Sequence, residues 1–530
     1  MTEEADIVII GSGIAGAICA WRLAGSGRRV LVLEAGPRIA RADVAEKFAS
    51  AHRYDFSWAY PNPPTAPRPD WGEGADRYIS QDGPDFVAFE YLRVVGGTTW
   101  HWGAACDRFL PSDFQLRSQH GVGADWPFGY DEIEPYYAEI ERELGVSGSI
   151  HAHKGSPRST ALPMPEMPSI YGENVIADKL RKIGIEFETQ SAARNSQPYD
   201  GRPQCEGFGM CLPLCPIGAQ YAAIVHIEKA ERRGARVLAD SRVDRIEVDE
   251  SGRISAVQFV RNDGTIDRAV GKTFIIAAHA VESPRLLLAS ASERYPNGLA
   301  NSSDQVGRNF MTHPALHIRM EISDPIYLGR GPHWTQFINS FRDGPWRQSE
   351  GAGVIWVDNV FNIFPTTLEL IDQKLLPPNL DAGIRNRAIH EAALFGYIEQ
   401  LPDPDNRITI DGNDRDSAGQ PRIHLSFRVG DYERRALARM TKTLDSFGEL
   451  LGAKWTKYTD GSASHHLAGT LRMGVNPKTS VVDQFGRAHD HPNLFVVGGS
   501  TFPTHPAIGP TMTIAALSLR TADAIARQPN

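Results

Sequence analysis

The apolar residues of the first segment gather into two short runs, IVII at 7–10 and VLVL at 30–33, with a glycine-rich turn and a helical stretch between them. Continuous apolar runs of this length, bounded by turn residues, suit strands buried on both faces. Residues 5–36, ADIVIIGSGIAGAICAWRLAGSGRRVLVLEAG, therefore predict strand, tight turn, helix and a second strand that ends in an acid. In such a unit Gly11 permits the sharp turn, Gly13 lets the backbone approach a pyrophosphate, and Gly16 allows helix and strand to pack closely. The helix N-terminus favours the phosphate charge. Glu34, 23 residues after Gly11, is placed to accept a ribose hydroxyl. A dinucleotide is implied; FAD and NAD both remain open on this segment alone.

Similar runs recur far downstream. Residues 273–290, TFIIAAHAVESPRLLLAS, read as a buried strand followed by a helix with Pro284 near its first turn. Residues 493–504, NLFVVGGSTFPT, are an apolar run closed by glycines, and 511–526 form a helix with an apolar stripe. Both ends of the chain are thus expected to return to one parallel sheet, with segments at about 46–90, 110–200 and 321–464 inserted. The Pro-rich stretch 61–74 reads as loop, while 406–412 and 421–429 alternate as half-buried strands should. These imply a mostly antiparallel sheet in a second domain. The expected fold class is α/β: a Rossmann-like nucleotide domain over 1–320 and 465–530, and a discontinuous α+β substrate domain over 321–464.

Composition narrows the classes. The chain has 530 residues, enough for several domains, and its net charge of −9 is spread along it rather than blocked. No basic tract supports nucleic-acid binding. The N-terminus lacks the pattern of a signal peptide, and no stretch approaches the roughly 20 apolar residues of a membrane span. Of five cysteines, three fall within 205–215, spaced C-x5-C-x3-C-P. Zinc would want a fourth ligand, a disulfide would leave one thiol over, and iron-sulfur ligation matches the closing C-x3-C-P. Cys19 and Cys106 read as buried thiols.

The phrases 94-VVGGTTWHWG-103, 283-SPRLLL-288, 465-HHLAGTLRMG-474 and 493-NLFVVGGSTFPT-504 resemble, in order and across almost the whole chain, the glucose-methanol-choline (GMC) family of FAD oxidoreductases. Within it, 194-RNSQPYDGRP-203, 214-LCPIGA-219 and 306-VGRNFMTHP-314 are most similar to flavoprotein subunits of bacterial membrane-bound glucose, fructose and gluconate dehydrogenases. The resemblance implies FAD as cofactor, with Gly96, Gly97, Thr98 and Gly498 beside it and His101 joined covalently to the flavin; the alternative is that His101 only packs or hydrogen-bonds there. It also implies His466 as catalytic base, a role that suits an imidazole titrating near neutrality. The family's second polar residue, Asn or His, falls on Gly509, so that role is vacant and His505 is the nearest candidate for it.

The resemblance further implies that Cys205, Cys211 and Cys215 hold a 3Fe-4S cluster carrying electrons from flavin to a cytochrome. The expected activity is a dehydrogenase oxidising a hydroxyl of a sugar, polyol or sugar acid. Expected partners are a small accessory subunit and a multihaem cytochrome c subunit, which would place the chain on the periplasmic side of a bacterial inner membrane, with a cytoplasmic location as the alternative. Two rival readings stand beside it: an oxygen-using flavin oxidase with structural cysteines, and an electron-transfer or binding subunit without substrate chemistry.

Overall fold

The computed structural model describes residues 1–50, 59–67, 69, 78–149, 156–360, 363–416 and 418–528. Part of the Pro-rich stretch, residues 68 and 70–74, lies outside these; its described residues contain neither helix nor strand. Four of the apolar runs and a fifth strand, Arg236–Leu238, make a five-stranded sheet in the order Leu494–Val496, Thr273–Ile276, Ile7–Ile10, Val30–Leu33, Arg236–Leu238. Every pairing in it is parallel. The central strands are buried along their whole length, because helices cover both faces of a parallel sheet. The helix Ile14–Ala24 packs against the last helix, Thr511–Ala526, so the two ends of the chain share one core.

The second sheet has six strands, in the order Thr456–Ala468, Met311–Glu321, Glu391–Ile398, Gly353–Val357, Gln336–Ile338, Glu188–Thr189, all antiparallel. It begins at Met311 and ends at Ala468, and it recruits a two-residue strand from far upstream. Period-2 alternation gives its faces different tasks. Ile318, Ile355, Val357 and Leu394 point into a core shared with the helices Asp431–Leu451 and Tyr171–Leu180. The long helix offers Tyr432, Ala436, Met440, Leu444, Phe447 and Leu451 to the interior, spaced three or four apart as one helical stripe requires. The opposite face carries Trp356, Phe395 and Tyr397 toward the nucleotide domain.

The strands that suggested an antiparallel sheet in the second domain lie elsewhere. Arg407–Arg415 pairs with Pro421–Ser426, and Pro421–Ser426 also pairs, in parallel, with Ile79–Asp82, forming a separate three-stranded sheet. That sheet packs through Ile408, Ile423 and Leu425 onto Val281 of the helix His279–Ala289, which belongs to the nucleotide domain. The alternation was real, but half-burial does not say against what a strand is buried.

Candidate active site

A cavity of about 1020 Å³ runs between the two sheets, from Glu34 and Asp244 at one end to His466 and Trp356 at the other. At the first end the glycine turn is built by close contacts. Gly11 has φ +98°, and a Cβ there would meet the carbonyl oxygen of Ala277 at 2.5 Å. A Cβ on Gly16 would stand 2.0 Å from the carbonyl oxygen of Gly11, whereas one on Gly13 would meet nothing within 4 Å. Gly13 caps the first helix and opens onto the cavity. Glu34 accepts hydrogen bonds from the Ser12 amide at 2.9 Å, the Ser12 hydroxyl at 2.6 Å and the Gly36 amide at 3.2 Å. Burial pushes its carboxyl up, against those donors. Glu34 lines the cavity, and its carboxylate has more lone pairs than these three bonds use.

Residues 94–103 strap across this turn. Gly96 and Gly97 both adopt positive φ, and a Cβ on Gly97 would lie 2.9 Å from the Cα of Gly13, so only glycine lets the two segments pass this closely. The Gly96 amide donates to the Ser12 hydroxyl at 3.1 Å, and the Thr98 hydroxyl accepts the Leu92 amide at 3.2 Å. His101 is buried and lines the cavity, its ring edge-on to Tyr60 at 5.7 Å. Gly498 and the first turn of the last helix close the same space.

At the other end the structure joins three histidines. His466 lines the cavity with a partly exposed ring. His313, fully buried, donates from Nε2 to the Pro506 carbonyl at 2.8 Å. Its Nδ1 is therefore an acceptor in the neutral ring, and it faces His466 Nδ1 at 3.0 Å. That contact fixes the proton of His466 on Nδ1 and leaves Nε2 bare. Burial, reinforced by His505 and His466, holds His313 well below the usual histidine range, so its role as acceptor persists across ordinary pH. Burial, with His465 and His505, does the same to His466. His465, the adjacent residue, also lines the cavity and pairs with Glu90 at 2.9 Å.

His466 owes its position to an irregularity in pairing. His313 is paired with Ala463 and Met311 with Ala468, so Thr312 alone stands opposite residues 464–467. A bulge of this kind re-aims side chains that an unbroken ladder would hold in alternation.

His505 is not among the residues lining the cavity. It lies behind His466, donating from Nε2 to the His466 carbonyl oxygen at 2.6 Å and stacking on His313 at 4.1 Å. The nearest candidate for the role left vacant at Gly509 thus donates to backbone. Gly509 does line the cavity, and a Cβ there would stand 3.9 Å from His466 Nε2, in ordinary van der Waals contact.

The cysteine loop adjoins the cavity, which Leu212 helps to line. Gln220 donates from Nε2 to the carbonyls of both Trp102 and Cys211, at 2.6 and 3.3 Å, and the His333 amide donates to Cys211 Sγ at 3.4 Å. All five cysteines are free thiols. Burial raises the Cys205 thiol, the Gly207 amide opposes that, and repulsion from Cys211 and Cys215 raises it further. Three unpaired thiols in one loop fit an iron-sulfur donor set in kind. Among the described residues, however, no three of His, Cys, Asp or Glu converge on a shared ion position.

For FAD the fit is closer. The open cradle at Gly13, the spare acceptor capacity of Glu34 and a cavity at the upper end of cofactor-site volumes match an extended dinucleotide. No described helix is long and apolar enough to cross a membrane.

Comparison with known proteins agrees with this geometry. Family models described as GMC oxidoreductase match residues 175–315 and 402–518, and one described as an NAD(P)-binding Rossmann-like domain matches 9–64. The fructose dehydrogenase large subunit of Gluconobacter japonicus is 39% identical over 534 residues, covering 99% of this chain and 98% of that one. The 6'''-hydroxyparomomycin C oxidase of Streptomyces lividus is 29% identical, covering 98% and 91%. Pyridoxine 4-oxidase from Mesorbium loti shares the fold, with a TM-score of 0.67 at 19% identity over 99% of this chain and all of that one.

Proposed function

Since this chain belongs to the GMC oxidoreductase family, we propose that it is an FAD-dependent dehydrogenase oxidising a hydroxyl-bearing carbon of a sugar, polyol or sugar acid. The observation that carries this reading is the bare Nε2 of His466, directed into the same cavity that holds the dinucleotide turn. FAD, when bound, supplies the hydride acceptor. The chain's own residues do the proton chemistry. His466 Nε2 takes the hydroxyl proton, His313 keeps the opposite nitrogen protonated, and His505 holds the backbone of His466 in place. The surrounding aromatic side chains exclude water, so the polar contacts that remain act in a low dielectric. Pro510 and Thr511 put the positive end of the last helix at the cavity, where negative charge on a bound cofactor is favoured. His101 is the residue for a covalent link to the flavin.

Cys205, Cys211 and Cys215 are the proposed ligands of a 3Fe-4S cluster, through which electrons would reach a cytochrome c partner on the periplasmic side of the membrane. Their support is the free thiols and the similarity to a fructose dehydrogenase large subunit. An oxidase with structural cysteines is the second reading, supported by the similarity to a 6'''-hydroxyparomomycin C oxidase. Anaerobic mixing with a panel of sugars, polyols and sugar acids tests the main reading: one of them should bleach the flavin absorbance. If none does, the dehydrogenase assignment falls. Iron and acid-labile sulfide analysis of the same sample separates the two fates of the cysteines, and flavin fluorescence in a denaturing gel reports the covalent link.

A further inference from the structure

The six-stranded sheet offers a second polar group to the cavity, well away from His466. Asp358 follows directly on the strand Gly353–Val357 and lines the cavity, as do His317 and His333. His333 donates from Nε2 to Asp358 Oδ1 at 2.6 Å, while His317 Nε2 lies 3.5 Å from Oδ2, too far for a good hydrogen bond. The two histidines hold the Asp358 carboxyl well below the usual range despite its burial, so it is ionised and accepts only. A half-satisfied carboxylate facing a cavity has acceptor capacity left for a ligand's donor.

The register sets the distance. Val354 pairs with Tyr397, whose ring is 5.1 Å from that of His466. The backbone of Asp358 is four residues farther along, about 13 Å at the usual rise, and its carboxyl leans back toward His317, which pairs with Phe395. Between the two lies an aromatic floor: Trp356 stacks on Phe395 at 5.1 Å, and Trp334 approaches Phe395 at 5.4 Å. Aromatic faces of this kind receive the apolar faces of ring compounds. A ring with its reacting carbon at His466 meets Tyr397 first, and a second ring lying along this floor would bring its polar groups toward Asp358.

We infer that Asp358, with His317 beside it, is a specificity-determining subsite binding a hydrogen-bond donor, hydroxyl or ammonium, on a second ring of the substrate. This rests on the proposed function and narrows it: the preferred substrate is a two-ring glycoside rather than a free monosaccharide, lying along Tyr397, Phe395 and Trp356. Asp358 makes no contact with the reacting carbon, so it acts on binding and not on the rate of the chemical step.

The test uses the FAD-loaded protein and its Asp358→Asn variant, with a monosaccharide substrate and two glycosides that extend it by a hydroxylated or an aminated ring. In the wild type, extension should raise kcat/KM. In Asp358→Asn, KM for at least one extended substrate should rise about ten- to hundredfold, as expected for loss of a hydrogen bond to a charged group, with kcat unchanged and the monosaccharide within about twofold. The extended substrate that responds identifies the donor. Equal loss on all substrates, an unchanged KM for both glycosides, or no gain from extension would each overturn the subsite. Tryptophan fluorescence titration with the same glycosides reads binding through Trp334 and Trp356 without turnover. If no substrate bleaches the flavin, the dehydrogenase reading fails; weakened titration in Asp358→Asn would still support the subsite, and equal titration would not.

Discussion

His313→Phe removes the group that fixes the tautomer of His466 while keeping a ring against His505 and Tyr397, now 4.1 and 4.9 Å away between centroids. The Pro506 carbonyl is not orphaned, because the Ile508 amide also donates to it at 2.8 Å. The cost falls on His466, whose Nδ1 proton would be buried without an acceptor, a penalty of about 1–3 kcal/mol. The ring escapes by moving its proton to Nε2, which then faces the substrate hydroxyl as a donor. The population able to act as base drops by the same free energy, so flavin reduction should slow roughly five- to hundredfold, with little change in KM. His313→Asn retains an oxygen near the place of Nδ1 and should recover most of the rate. Stopped-flow reduction under anaerobic conditions, with thermal melts as a check on folding, measures both. If the Phe variant stays within about twofold of wild type, or the Asn variant is equally slow, the tautomer argument is wrong.

Other outcomes follow from particular contacts. Gly13→Ala should leave the melting temperature of the FAD-free protein unchanged but weaken FAD binding, measured by flavin titration, because its Cβ enters open space. Gly16→Ala, whose Cβ would meet a carbonyl at 2.0 Å, should lower that melting temperature itself. Burial lowers His505 from 6.5 to about 4, so the unfolded state binds its proton first as pH falls. Stability from this residue is intact above pH 6.5 and is lost between 6.5 and about 4, by about 3 kcal/mol; denaturant melts of His505→Gln across that window should show a flatter dependence. Cys211→Ser should abolish iron and sulfide in the purified protein without releasing FAD, and retention of full iron would remove Cys211 from the ligand set.

Local patterns were readable where local physics decides the structure. The strand, turn and helix at 7–24 were visible because fully buried parallel strands read as unbroken apolar runs, and the glycine spacing follows from backbone approach. Long-range pairing was not: nothing in ISQD at 79–82 announces a partner more than 300 residues away at 423–426. His313 is legible in one respect: the period-2 pattern H-x-A-x-H at 313–317 places both histidines on one face of a strand, a signal that singles them out. The contact of His505 with the His466 carbonyl was not legible, because proximity along a loop says nothing of which way a ring donates. Asp358 left no trace in sequence, since an acid at a strand end is ordinarily a solvated turn residue.

The irregular pairing opposite Thr312 bears on any attempt to make this protein sturdier. Consensus substitution, loop shortening and strand idealisation all favour unbroken ladders, and a procedure that removed the neighbours of His466 between Ala463 and Ala468 to restore register with Met311–His313 would score as an improvement in backbone hydrogen bonding. The same edit would draw His466 back into simple alternation and away from His313. A more heat-resistant and inactive protein is the expected product, so a stability screen of this chain needs an activity filter at that one corner of the sheet above all others.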